Sequence, residues 1–307
     1  LNLQSSVVFL VGATGTGKSA VGMELARAGG GAILCMDAMQ VYRGADIGTS
    51  KPSAADRAEL PHGGLDLVDL GTGFDVAQYL RHAEAFLAEQ RAAGRRVFIV
   101  GGTGLYFRAL TRGLCEAPQG PEELRAELGA LSVGDLQARL KRVDPEMYKR
   151  IDVENPRRLA RAIEVMEASG KSLRLWQEET PEPLVKDYLA FWICREKEDL
   201  ERRIEARVEA MFEEGWVEEV RGLMEKYGEE AVRGFAGIGY GEIAFCSLRE
   251  PGQQVARATL QGVKRDILVA TRQYAKRQLT WFAREPKLRK VMLNGTQSIF
   301  AAMPALL

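Results

Sequence analysis

Residues 7–19 read Val7–Val8–Phe9–Leu10–Val11–Gly12–Ala13–Thr14–Gly15–Thr16–Gly17–Lys18–Ser19. The apolar run Val7–Val11, rich in β-branched residues, predicts a fully buried strand of a parallel sheet. Ser19 to Arg27 reads as the helix that follows, with Val21, Met23, Leu25 and Ala26 available for packing. Between them, Gly12, Ala13, Thr14, Gly15, Thr16, Gly17, Lys18 and Ser19 fit GxxxxGK[ST] in full, in the strand–turn–helix context that this pattern requires. Glycines let backbone N–H groups turn inward around phosphate oxygens, and the helix N-terminus adds partial positive charge. Lys18 supplies a point charge, and the Ser19 hydroxyl can ligate Mg²⁺. The pattern identifies a phosphate binder without naming the reaction. It admits an ATP-binding small-molecule kinase as well as other phosphate chemistry, and no NKxD guanine-reading motif occurs.

Working outward, Ala32–Met36 predicts a second strand, Val76–Ala93 a helix and Val97–Val100 a third strand. This alternation predicts an α/β fold, a P-loop NTPase-like core with a parallel sheet flanked by helices. After Pro118 the texture becomes charged and helix-rich, until Tyr188–Cys194 (YLAFWIC) returns to strand character. The expected organisation is therefore a core of residues 1–120 and 186–307, with an all-helical domain of residues 121–185 inserted. Leu200–Tyr227 shows helical spacing that Gly215 should kink or divide, and Val255–Phe282 is a further long helical stretch.

Asp37 follows the second strand at the sheet edge where ligands of such folds bind. It can serve as a general base or metal carboxylate, or simply as a turn aspartate. Gly101–Gly102–Thr103–Gly104 follows the third strand at the same edge; it offers the Thr103 hydroxyl to the crevice or serves as a tight turn.

The chain has 307 residues, 46% hydrophobic and 27% charged, which excludes wholly disordered and collagen-like classes. No apolar run approaches the roughly 18 residues of a membrane helix. Cys35, Cys115, Cys194 and Cys246 form no CxxC pair and read as buried thiols in a reducing, cytoplasmic setting. The chain opens at Leu1 rather than Met, so Leu1–Ser6 read as truncated or appended sequence. The 42 basic and 42 acidic residues balance, yet Arg257–Lys290 carries ten cations against Asp266 and Glu285, a local charge of +8. With Tyr274, Trp281 and Phe282 interleaved, that stretch suits RNA, its cations facing phosphate and its Trp and Phe the core. The acid-rich 201–230 region should face away from RNA.

Several further stretches make the pattern specific. Asp37–Pro52 (DAMQVYRGADIGTSKP), PHGGLDLVD at 61–69, VGGTGLYF at 100–107, NPRRLARAIEV at 155–165, GIGYGE at 237–242 and TRQYAKRQLTWF at 271–282 stand in consistent order. Together with GATGTGKS, they closely resemble the tRNA dimethylallyltransferase family, over residues 7 to about 284. The resemblance implies transfer of a dimethylallyl group from dimethylallyl diphosphate to the N6 amine of the adenosine immediately 3′ of the tRNA anticodon. It implies that the P-loop grips the diphosphate with Mg²⁺ at Ser19, and that Asp37 accepts the N6 proton. Asp37, Ala38, Met39 and Gln40 would help hold the flipped adenine, Thr103 would contact the adenosine or the donor, and Arg221 would lie near the diphosphate. The anticodon stem-loop would meet Arg125, the stretch Arg157, Arg158, Leu159, Ala160 and Arg161, and the cations Arg272, Lys276 and Arg277. The inserted domain would clamp the stem, and the enzyme is expected to act as a monomer. Three positions depart from the family pattern: Ala38 where Ser is usual, Arg157 where Gln is common, and Gly241 where many relatives are basic.

Overall fold

The computed structural model describes residues 7–249 and 257–293, without the side chains of 247–249 and 257–259. Leu1–Ser6 and the Arg257 side chain, both read from the sequence above, lie outside the described residues.

Among the described residues six strands form one sheet: β1 (Val7–Gly12), β2 (Ala32–Met36), β3 (His62–Gly63), β4 (Val97–Gly101), β5 (Leu189–Cys194) and β6 (Arg289–Met292). Their spatial order is β3-β2-β4-β1-β5-β6, and every pairing is parallel. Each parallel neighbour needs a crossover, which the helices between strands provide. β1, β2 and β4 are buried along their whole length, as continuous apolar runs with both faces covered should be. Strand ends are in step: Val11 pairs with Gly101 and with Trp192, and Met36 pairs with Gly101. The loops that leave β1, β2, β4 and β5 therefore start at one level, along one edge of the sheet.

The strands read from sequence are all present. Two more were not read. β3 is two residues long, too short for any periodic signal, and β6 begins with Arg289 and Lys290, whose charge hides it. That charge belongs on an edge strand, where it blunts pairing with other chains. The segment 200–227 divides into helices Lys197–Glu213 and Trp216–Tyr227, with Gly215 between them at φ +97°.

The chain resolves into two compact units, one of residues up to Phe107 and from Val185, the other Arg108–Leu184. The sequence placed the insertion's start at 121; the structural boundary instead falls within the helix Gly104–Arg112. The first unit packs Leu10, Val21, Leu25, Phe98 and Ile193 beside the sheet, and Trp216, Val220, Tyr240 and Ile267 among its later helices. The second has its own core of Leu128, Leu136, Leu140, Leu159, Ala162 and Ile163. Cys35, Cys194 and Cys246 are buried free thiols as expected, while Cys115 is only half-buried. No helix among the described residues is long and apolar enough to cross a membrane.

Candidate active site

The loop after β1 is shaped by steric necessity. Gly15 and Gly17 take φ of +83° and +90°, the left-handed region that favours glycine. The Thr16 hydroxyl donates to the Ala13 carbonyl at 2.8 Å, and Lys18 Nζ donates to the same oxygen at 3.4 Å. Behind the loop stand two arginines. Arg195 Nε donates to the Thr16 carbonyl at 2.8 Å, and Arg203 Nε donates to the Gly15 carbonyl at 2.9 Å. Carbonyls drawn outward leave the N–H groups of the turn facing in. The helix Lys18–Gly29 begins at Gly17 without a side-chain cap, so its first N–H groups remain open to an anion.

A cavity of about 750 Å³ opens beside this loop. Thr14, Lys18 and Ser19 line one wall; Asp37, Ala38, Met39, Gln40 and Thr103 line another; Arg207, Tyr274, Arg277 and Gln278 close it. Asp37 Oδ1 accepts the Met39 N–H at 2.8 Å, which aims the carboxylate. Thr103 Oγ1 accepts the Ala38 N–H at 3.1 Å, and Gln40 Nε2 donates to the carbonyls of Thr49 (2.9 Å) and Ser50 (3.1 Å). The sheet edge thus brings the sequence-read Lys18, Asp37 and Thr103 to one cavity.

The electrostatics ask for an anion. Burial, then the neighbouring Arg207, pushes the Lys18 ammonium down to about 8, with Asp37 opposing. Burial also lowers the Arg207 guanidinium against the pull of Asp37. Of the residues that line the cavity, the cations Lys18, Arg27, Lys51, Arg207 and Arg277 outnumber the carboxylates Glu24, Asp37 and Asp56, and both Lys18 and Arg207 feel the charge of Asp37. Burial, reinforced by Asp37, raises the Tyr274 phenol and keeps it protonated.

Arg221 is not part of this wall. It is half-buried on the helix Trp216–Tyr227, with its guanidinium 3.9 Å from Glu218. The preceding helix instead brings Arg207 to the cavity. Sequence reading missed Arg203 and Arg207, which stand four residues apart on the helix Lys197–Glu213, a spacing too common on helices to mark a site. Gln278 and Arg195 carried no signal of their own, and Tyr274 was read only as an aromatic interleaved with the cations of Arg257–Lys290.

The RNA candidates separate. In the second unit Arg125, Arg157 and Arg158 are exposed, Arg158 lying 3.5 Å from Asp152. Leu159 is fully buried in that unit's core and Ala160 is half-buried against it, so the Leu159 side chain is not a surface contact. Arg161 donates to the carbonyls of Ala117 (2.7 Å) and Pro118 (3.0 Å) and pairs with Glu164, which ties it to its own fold. On the long helix Arg257–Phe282, Lys276 is exposed and Arg277 reaches the cavity beside Tyr274. Arg272 pairs with Glu205 and Lys264 with Glu209 at 2.6 Å. The acid-rich stretch 201–230, expected to face away from RNA, meets this helix through Glu205 and Glu209 and neutralises part of its charge. Lys287, Arg289 and Lys290 sit over Tyr188, Phe191 and Trp192 at the sheet edge. Phe282 is core, as expected.

The family description IPP transferase matches residues 40–285, and Isopentenyl transferase matches residues 5–71. The chain belongs to the IPP transferase family. A tRNA dimethylallyltransferase of Methylacidiphilum infernorum is 44% identical, with 95% of this chain and 87% of that one covered. Another, of Geobacter metallireducens, is 40% identical over 95% and 94% of the two chains. The crystal structure of a full-length tRNA isopentenylpyrophosphate transferase from Bacillus halodurans superposes with a TM-score of 0.67 at 30% identity, covering 97% and 93%. A eukaryotic dimethylallyltransferase acting on tRNA shares the fold at a TM-score of 0.80 and 22% identity, covering 98% of this chain and 77% of that one. The family thus accounts for the P-loop NTPase-like architecture, its parallel six-stranded sheet included.

Proposed function

We propose that the chain is a tRNA dimethylallyltransferase. It moves a dimethylallyl group from dimethylallyl diphosphate to the N6 amine of the adenosine immediately 3′ of the anticodon. The observation that carries this reading is the shared cavity: the cations Lys18 and Arg207 line it together with Asp37 and Thr103. Membership of the IPP transferase family supports it and does not favour the small-molecule kinase.

The chemistry follows from these groups. An adenine amine is a weak nucleophile, because its lone pair is delocalised into the ring. Lys18, Arg207 and the N–H groups of the P-loop bind the diphosphate, and they stabilise it as it leaves with the electron pair of the breaking C–O bond. The N6–carbon bond forms as that bond breaks. The second oxygen of Asp37, the one not held by Met39, accepts the amine proton. The adenosine must leave the anticodon-loop stack to reach the cavity, at a cost of a few kcal/mol.

The residues present fit Mg²⁺. The exposed Ser19 hydroxyl lines the cavity at the N-terminus of its helix, and no group of three or more His, Cys, Asp or Glu that could hold a metal exists among the described residues. One hydroxyl, with the rest of the shell from diphosphate and water, is a donor set that Mg²⁺ accepts. When bound there, the ion neutralises charge on the leaving diphosphate. We further propose Arg125, Arg157, Arg158 and Lys276 as phosphate contacts of the anticodon stem-loop, since their side chains stand exposed. A cytoplasmic, monomeric enzyme is part of the same reading.

The test is a single-turnover incubation with labelled dimethylallyl diphosphate, Mg²⁺ and unmodified tRNA, followed by nucleoside analysis. Label on the adenosine beside the anticodon is the expected result. No label, with active controls, overturns the reading; turnover of ATP with a metabolite acceptor would then favour the kinase.

A further inference from the structure

One buried side chain joins the two halves of the cavity. Gln278, on the helix Arg257–Phe282, is 5% exposed. Its Oε1 accepts the N–H of Thr14, in the P-loop, at 2.8 Å. Its Nε2 donates to the carbonyl of Gly102, in the loop after β4, at 3.0 Å. The next residue, Thr103, holds the Ala38 N–H beside Asp37. A line of hydrogen bonds thus runs from the phosphate loop, through one amide group, to the backbone that carries the carboxylate.

We infer that Gln278 is a positioning residue that sets the distance between the donor loop and the acceptor loop. The inference rests on the transfer reaction proposed above. An amide suits the task because it offers an acceptor to one loop and a donor to the other from a single rigid plane. The packing enforces that orientation: a Cβ on Gly102 would lie 2.1 Å from Gln278 Nε2, so only glycine lets the amide reach the carbonyl. Gln278 also takes up the Thr14 N–H, leaving the later N–H groups of the loop to the diphosphate. Fixing donor and acceptor in register acts on the reaction step rather than on the capture of either substrate, and a displacement of about 1 Å can cost on the order of 100-fold.

The experiment compares wild type, Gln278→Met, Gln278→Glu and Gly102→Ala, measuring kcat and both KM values from pH 6 to 8.5 with melting temperatures at each pH. Gln278→Met and Gly102→Ala should lower kcat by roughly 10- to 100-fold, with each KM within about twofold of wild type. Gln278→Glu supplies the rescue. Its protonated carboxyl accepts from Thr14 and donates to Gly102, whereas its carboxylate can only accept and faces a carbonyl. Its kcat relative to wild type should therefore rise as pH falls, while that of Gln278→Met stays flat. Lys18, Asp37, His62, Arg207, Tyr274 and Arg277 line the same cavity, and Gln278→Met, which also loses the hydrogen bond to Tyr274, is the control for their titration. Wild-type kcat in Gln278→Met and Gly102→Ala overturns the inference. So does a pH-independent ratio for Gln278→Glu, or an activity loss that tracks the melting temperature. A wild-type enzyme that transfers no label overturns the proposed function instead, and the inference with it.

Discussion

The Thr103 hydroxyl accepts the N–H of Ala38 at 3.1 Å, so the loop that leaves β4 holds the backbone that presents Asp37. An acceptor at this point matters more than bulk. Thr103→Val keeps the shape but takes the side-chain acceptor away from the half-buried Ala38 N–H, a loss of about 1 kcal/mol. We expect it to lower kcat/KM for tRNA at least tenfold, and Thr103→Ser to recover most of that loss, as steady-state rates will show.

Replacing Asp37 separates chemistry from binding. General bases contribute roughly 10²- to 10⁴-fold. Asp37→Ala should lose transfer to that extent while tRNA still binds, which single-turnover rates beside filter binding will measure. Transfer at the wild-type rate would remove Asp37 from the role of base.

Lys18 makes diphosphate binding pH-dependent. Burial and Arg207 bring its ammonium down to about 8, so it loses its charge as pH rises through that value. An anion beside it favours the charged form, so binding takes up a proton near pH 8. Affinity for inorganic diphosphate should hold below pH 7.5 and fall as pH rises through 8 to 9.5. Calorimetry in two buffers of different ionisation enthalpy will show the proton uptake, and Lys18→Met should abolish it.

The two arginine types of the second unit should answer different assays. Arg157 stands exposed at the start of its helix, so Arg157→Ala should lower the salt slope of tRNA binding by about one. Arg161 holds the carbonyls of Ala117 and Pro118 and the Glu164 carboxylate. Its alanine variant should instead lower unfolding stability by about 1–3 kcal/mol. A salt titration and a urea titration of each protein distinguish them.

Two half-buried histidines set the acid side of stability. The His82 Nε2 accepts the Gly64 N–H at 2.8 Å, and burial lowers the pKa of both His62 and His82 below 6.5. The unfolded chain therefore binds protons first as pH falls through 6.5, and folding stability drops from there downward. Urea midpoints at pH 7.5 and 5.5 should differ in that direction, and by less in His82→Gln.

The strands β1, β2, β4 and β5 were legible in sequence because both faces of each are buried, which makes apolar runs. β6 was not, because an edge strand beginning Arg289–Lys290 resembles a solvated loop. The P-loop was legible because its glycines answer a local backbone demand. Arg207 and Gln278 were not, since their roles exist only once helices from distant parts of the chain lie over the sheet edge. The charge of 257–290 misled in a similar way. Composition counts Arg272 and Lys264 as free cations, but Glu205 and Glu209 meet them across a helix pair that no local pattern reveals.

The order of the strands also governs how the protein is made. Val8 pairs with Phe98 on one side and with Leu189 on the other. On the ribosome, β1 emerges among the first segments of the sheet, yet it has no neighbour until β4 appears and keeps a bare edge until β5 follows. The unit 108–184 emerges during that wait and has a core of its own to close. The phosphate loop is thus translated well before it is completed, since Thr14 gains its partner only when Gln278 arrives. A nascent chain stopped short of that helix carries the whole P-loop motif and an unfinished cradle.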